Sequence, residues 1–176
     1  MNLPSIIQNE MNKQLKRIET CLNVLSEEQI WNRLKPSMNS IGNLCLHLAG
    51  NEYQHFVSGI GGMPFIRTRT NEFTNNNEIS GIELLKLLND VRIKSSDVLE
   101  QIAETNLEKV ISIYYSSEDW NSMVERPSFE AESYYSKSIN TILIQVCEHY
   151  SYHTGQIVTL TKLLSDNQHN ITGTFH

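Results

Sequence analysis

The chain has 176 residues, 39% of them hydrophobic, which is enough for one well-cored domain over residues 1–176 and short for two. A formal net charge of −6, with no clustered stripe of Lys and Arg to neutralise phosphates, excludes a general nucleic-acid binder. No apolar run approaches the roughly 18 residues that span a bilayer, and Met1-Asn2-Leu3-Pro4-Ser5-Ile6 lacks the apolar core of a signal peptide, so a cytoplasmic protein without a membrane partner is expected.

Ile7, Met11, Leu15, Ile18, Leu22 and Leu25 recur at helical spacing and predict a first long helix over residues 5–25. Ser26-Glu27-Glu28-Gln29 resembles a capping box that opens a short helical turn through Trp31, and Pro36 then breaks the pattern. A second long helix begins at an Asn39 or Ser40 cap and carries Ile41, Leu44 and Leu48 to about Val57. Gly59-Ile60-Gly61-Gly62-Met63-Pro64 stops it, being a turn and not a dinucleotide loop, because it lacks the full glycine spacing and follows a helix. The polar stretch 67–77 reads as a long loop.

From Ser80 or Gly81, a third helix is supported by Ile82, Leu85, Leu88, Val91, Leu99 and Ile102, ending near Asn106. Lys109-Val110-Ile111-Ser112-Ile113-Tyr114-Tyr115 permits a short strand, but the neighbouring stretch 120–129 offers no pairing partner, so a long, partly extended crossover is expected. The fourth helix covers residues 138–164, and a polar tail follows from about residue 165. Cys21, Cys45 and Cys147 are odd in number and lie in helical patterns, which suits reduced core thiols. The sum is an all-α four-helix bundle with long connections after helices two and three.

Within the fourth helix stands Glu148-His149-Tyr150-Ser151-Tyr152-His153. Two histidines four apart project from one helix face about 6 Å apart along the axis, close enough to reach one ion. They fall on the stripe Ile142, Val146, His149, His153, Ile157, Leu160, Leu164, expected to face the core. Burying imidazoles is costly unless their nitrogens find partners, and a divalent metal satisfies several at once. Such histidines also serve by bonding backbone or hydroxyl groups. With His47 available from the second helix, metal is the preferred reading, and bundle cores are natural places for such sites. His55, two turns beyond His47, is too far along an unkinked helix to share the ion, and His169 and His176 lie in the tail with no placement argument.

Asn43-Leu44-Cys45-Leu46-His47-Leu48-Ala49-Gly50-Asn51, followed far downstream by Glu148-His149-Tyr150-Ser151-Tyr152-His153-Thr154-Gly155-Gln156-Ile157, resembles the DinB/YfiT-like metalloenzyme superfamily, and most of all a branch of unknown function. The likeness covers nearly the whole chain, including Gly59-Ile60-Gly61-Gly62 and Arg67-Thr68-Arg69. The resemblance implies a helical bundle, often a homodimer, with zinc or nickel on His47, His149 and His153. Relatives include metal-dependent transferases and isomerases that use low-molecular-weight thiols.

Three neutral imidazoles leave a cation positively charged with an open position, where a bound thiol or water would ionise more readily. The same vacancy serves an S-transferase and a hydrolase, and a non-catalytic, metal-stabilised dimeric bundle is a third alternative. Helix geometry puts Asn51, Gln145 and Gln156 near the histidine face, where they orient ligands or substrate or else face water. Arg67 and Arg69 are the anion-binding candidates for a small-molecule substrate or thiol, with an ordinary solvated loop as the alternative. Glu148 is offset by about 100° from His149, which makes surface solvation as good a role for it as general base. Cys45 and Cys147 each precede a ligand by two residues and point away from the ion.

Overall fold

The computed structural model describes residues 2–65, 67–75, 79–123, 133–165 and 171. Four long helices make the expected bundle: α1 (Leu3–Asn23), α3 (Ile41–Glu52), α5 (Gly81–Glu100) and α7 (Ile139–Leu164). Helix α1 packs on α5 and α7, and α3 packs on the same two, so the order around the bundle is α1, α5, α3, α7. One contiguous apolar cluster fills the middle, with Ile18, Ile41, Leu48, Phe56, Leu84, Ile142 and Ile157 all fully buried. The tail from residue 166 lies outside the described residues except for Ile171, and His169 and His176 are among those excluded.

The helix starts are set locally. Ser26, Ser40 and Ser80 each accept a bond from the backbone N–H three residues on, and Gln29, Asn43 and Glu83 reach back to close capping boxes. The first of these opens the short α2 (Glu27–Trp31).

Four expectations are corrected. Beyond Glu52 the second long helix widens into a π-helical stretch, Tyr53–Ile60. The wider turn rotates each residue less, and Gln54, His55, Phe56 and Val57 are buried in succession. The expected loop at 67–77 instead contains α4 (Arg69–Thr74), with residues 76–78 outside the description. The crossover is folded: β1 (Val110–Tyr114) pairs antiparallel with β2 (Tyr134–Ser138), in the register Val110 to Ser138 and Tyr114 to Tyr134, and α6 (Ser117–Met123) lies between them. Residues 124–132 lie outside the description.

The buried stripe of α5 departs from the expected one at Ile82, while Leu88, Val91 and Leu99 are buried as expected and Leu85 and Ile102 pack against the core. Ile82 is 82% exposed, and the inward positions are Leu84, Leu88, Val91, Arg92, Ser95 and Leu99. Arg92 joins the inward face, its charge matched inside the bundle by Glu52 of α3. Helix α5 ends at Glu100, and a single 3₁₀ turn, Glu104–Asn106, carries the chain onward. Cys21, Cys45 and Cys147 are free thiols, and burial pushes all three upward from the usual cysteine range, so they stay protonated.

Candidate metal centre

His47 of α3 meets His149 and His153 of α7 across the groove where these helices pack. One ring nitrogen from each of the three lies within 4.8 Å of the other two. His47 Nε2 and His149 Nε2 are 3.0 Å apart, and the ring planes stand at 64°, 76° and 87° to one another. The pair on α7 is not at the centre of its buried stripe. Tyr150 and Thr154 are, with Val146 and Ile157, while His149 and His153 are half-buried on the flank that faces α3. Each step of 100° turns the neighbouring position inward.

His47 is braced from behind. Its Nδ1 lies 2.9 Å from Glu72 Oε2, and Arg67 grips the same carboxylate twice, Nε to Oε1 at 2.7 Å and Nη2 to Oε2 at 2.9 Å. Arg67 also donates to Gln54 Oε1. A carboxylate against Nδ1 accepts a hydrogen bond from its N–H, which keeps the proton there and leaves Nε2 with a bare lone pair aimed at His149. Phe73 closes one side, its ring centroid 4.9 Å from that of His47. His153 is held likewise, by a 2.7 Å contact from Nδ1 to Gln156 Oε1.

Glu72 is where it is because α4 is tied down at both ends. Asp119 of α6 accepts the backbone N–H groups of Arg69 and Thr70, at 3.0 and 3.3 Å, which caps the start of α4. At the other end the amide of Asn43, one turn before His47, donates to the carbonyls of Glu72 and Asn75 at 2.9 Å each. Helix α3 also makes room: a Cβ on Gly50 would stand 2.1 Å from Glu72 Oε1.

Burial lowers the proton affinity of all three histidines. His149 is pushed down to about 3 by burial first and then by the neighbouring His47 and His153. Burial likewise holds His47 and His153 below the ordinary value, with Glu72 and Gln156 partly opposing it. Three uncharged imidazoles with converging lone pairs are a donor set for a divalent ion. Two nitrogens about 2.1 Å from one zinc at a tetrahedral angle lie about 3.4 Å apart, close to the observed 3.0 Å. His149 Nδ1 is buried with no hydrogen-bond partner among the described residues. Without an ion, the two facing Nε2 atoms can share at most one proton. The residues present fit a metal.

The other expected residues divide. Gln156 contacts a histidine of the trio. Asn51 contributes its carbonyl to His55 Nδ1 at 2.7 Å, and Gln145 accepts from Lys137 at 2.7 Å, so neither is seen to orient the trio. Arg67 is not a mobile loop cation, because its side chain is 5% exposed and committed to Glu72 and Gln54. Arg69 keeps its guanidinium over the ring of Phe73 at 5.2 Å. Glu148 is exposed. His55 stands apart from the trio, bonded at Nε2 to the Tyr135 hydroxyl at 2.7 Å. Sequence reasoning missed Glu72, Gln54, Phe73 and Asp119. Gly50 in the middle of a helix was the one local signal that something approaches closely there.

Residues 3–173 match the family described as "Protein of unknown function (DUF1572)", and the chain belongs to that family. The fold is similar to that of a conserved protein from Enterococcus faecalis, with a TM-score of 0.64 at 16% identity over 93% of this chain and 98% of that one. It is also similar to a DinB-like protein from Bacillus cereus ATCC 10987, with a TM-score of 0.62 at 13% identity over 89% of each chain. No curated protein matches the chain.

Proposed function

We propose that this protein is a divalent-metal-dependent enzyme whose ion, zinc or nickel, is held by His47, His149 and His153, and that it acts as a low-molecular-weight-thiol S-transferase. The observation that carries the metal reading is the buried Arg67–Glu72–His47 relay. A carboxylate locked by an arginine onto the rear nitrogen of a histidine is the arrangement that fixes a ligand's tautomer and raises its basicity. The thiol reading comes from the DinB-like resemblance.

A bound divalent ion supplies positive charge that favours the ionised form of a thiol or water at its open position. The chain's own part is preorganisation. Glu72 keeps the His47 proton on Nδ1, Gln156 does the same for His153, and Phe73 and Tyr152 shield the flanks of the trio. With Arg67 consumed, Arg69 is the cation left to meet an anionic group on a substrate. The same reading takes residues 1–176 as one cytoplasmic domain acting on a small molecule as a homodimer. Metal-dependent hydrolysis uses the same geometry, and a metal-stabilised bundle without turnover is the non-enzymatic alternative.

Metal content per chain, measured by elemental analysis on untagged protein purified without chelator, tests the ligand set. Near-stoichiometric zinc or nickel is expected in the parent and in His169→Ala, with strong loss in His149→Ala, His153→Ala and a His47→Ala/His149→Ala double variant. Equal metal in all of them sinks the assignment. Turnover of a chlorinated dinitrobenzene then separates the reactions: dependence on added thiol supports the transferase, and thiol-independent turnover supports the hydrolase.

A further inference from the structure

One helical turn from the trio, α3 and α7 diverge around a groove of about 640 Å³. Its walls include Leu44, one turn before His47 on α3, and Gln156, one turn after His153 on α7, so it is the next layer of the bundle beyond the proposed ion. Two residues belong to both places. Gln156 holds His153 Nδ1 while lining the groove, and Tyr152 packs its ring 4.9 Å from that of His153 while forming the near wall. Asn39 and Thr159 add an amide and a hydroxyl, Met38 and Leu163 add apolar surface, and among the described residues no charged side chain lines the groove.

Gly155, an exposed position of α7, also lines the groove. Glycine inside a helix is less favourable than alanine, and it is usually retained where another group packs too close for a Cβ. Here a Cβ would meet nothing within 4 Å. Packing therefore gives no reason for the glycine, and a long side chain here would occupy open space that borders the groove. An uncharged groove with hydrogen-bonding groups on an apolar base, opening beside the ligands, suits the tail of a molecule whose head lies at the trio.

We infer that this groove is the subsite for an extended, uncharged substrate or cosubstrate chain rich in amide and hydroxyl groups, and that Gly155 keeps it open. The inference rests on the reading of the trio as a metal site that receives the head group.

The test uses the zinc-loaded full chain and two thiols with the same head, pantetheine with its uncharged amide-and-hydroxyl chain and N-acetylcysteamine without it, titrated by calorimetry. Pantetheine is expected to bind at least tenfold more tightly. Gly155→Leu is expected to bring pantetheine down to the N-acetylcysteamine affinity, with zinc stoichiometry and melting temperature no lower than the parent's. Equal affinities in the parent, or a pantetheine advantage that survives Gly155→Leu, overturns the inference. If the chain takes up no zinc, the metal reading fails separately. The groove is then tested by NMR on the metal-free chain, where pantetheine shifts confined to resonances such as those of Asn39, Gly155 and Thr159 support it and their absence overturns it.

Discussion

Glu72 Oε2 stands 2.9 Å from His47 Nδ1, although the two residues come from different helices and 25 positions separate them in the chain. The contact fixes which nitrogen of His47 is free, and it joins the histidine trio to α4 and, through Asp119, to α6. The connections of the bundle are thereby part of the site.

Replacing Glu72 by Gln keeps the shape and removes the charge that holds the His47 proton on Nδ1. Metal affinity is expected to fall about 10- to 100-fold, measured by competition with a chromophoric chelator. Unchanged affinity would show that Glu72 does not set the ligand.

Gly50→Ala introduces a Cβ 2.1 Å from Glu72 Oε1. Alanine is the better helix former by about 0.5–1 kcal/mol, so propensity alone predicts a more stable protein with the same site. The expected outcome is weaker metal binding in the same chelator competition, because the carboxylate must move away from His47. An affinity equal to the parent's excludes the close approach.

His55 governs an acid transition. Burial pushes it down to about 4, against an unfolded value near 6.5, with the Asn51 carbonyl opposing and Arg67 and Lys137 assisting. Its folded value is the lower one, so the stability gained from neutral His55 is complete above about pH 6.5 and is lost as pH falls through about 4. The metal-free parent should lose about 3 kcal/mol across that window through this residue, and His149 adds to the loss. Urea unfolding at pH 7 and pH 4.5 should show a smaller drop for His55→Gln than for the parent. Equal drops would exclude the effect.

Arg92 and Glu52 form a buried two-pronged pair, Nε to Oε1 at 2.7 Å and Nη2 to Oε2 at 2.9 Å. The third arm of Arg92 reaches Asn12, and its guanidinium lies 4.9 Å from the centre of the Tyr150 ring, so one side chain touches groups from all the other long helices. Arg92→Met is expected to cost about 3–5 kcal/mol in urea unfolding by stranding Glu52, and Arg92→Met/Glu52→Leu to recover most of it. A double variant as unstable as the single one would place the cost elsewhere.

What was legible in the sequence is what neighbours along the chain decide. Ser26, Ser40 and Ser80 find their capping partners three residues away, and the apolar spacing of α1 and α7 needs only the helical period. His149 and His153 share a face for the same reason. The partner of β1 was not legible, because Tyr134–Ser138 lies across a long crossover and carries polar residues. The inward place of Arg92 on α5 was not legible either, because hydropathy puts an arginine outside, whereas it is inside with Glu52.

The sequence by itself determined the four long helices, their caps and the three histidines available to one ion. Only the tertiary structure decided that His47 would lie 3.0 Å from His149, that Glu72 and Arg67 would stand behind it, and that a groove would open over Gly155. Helix periods and caps depend on neighbours within one turn, whereas these contacts depend on how separate helices pack and are set by the shape of the whole core.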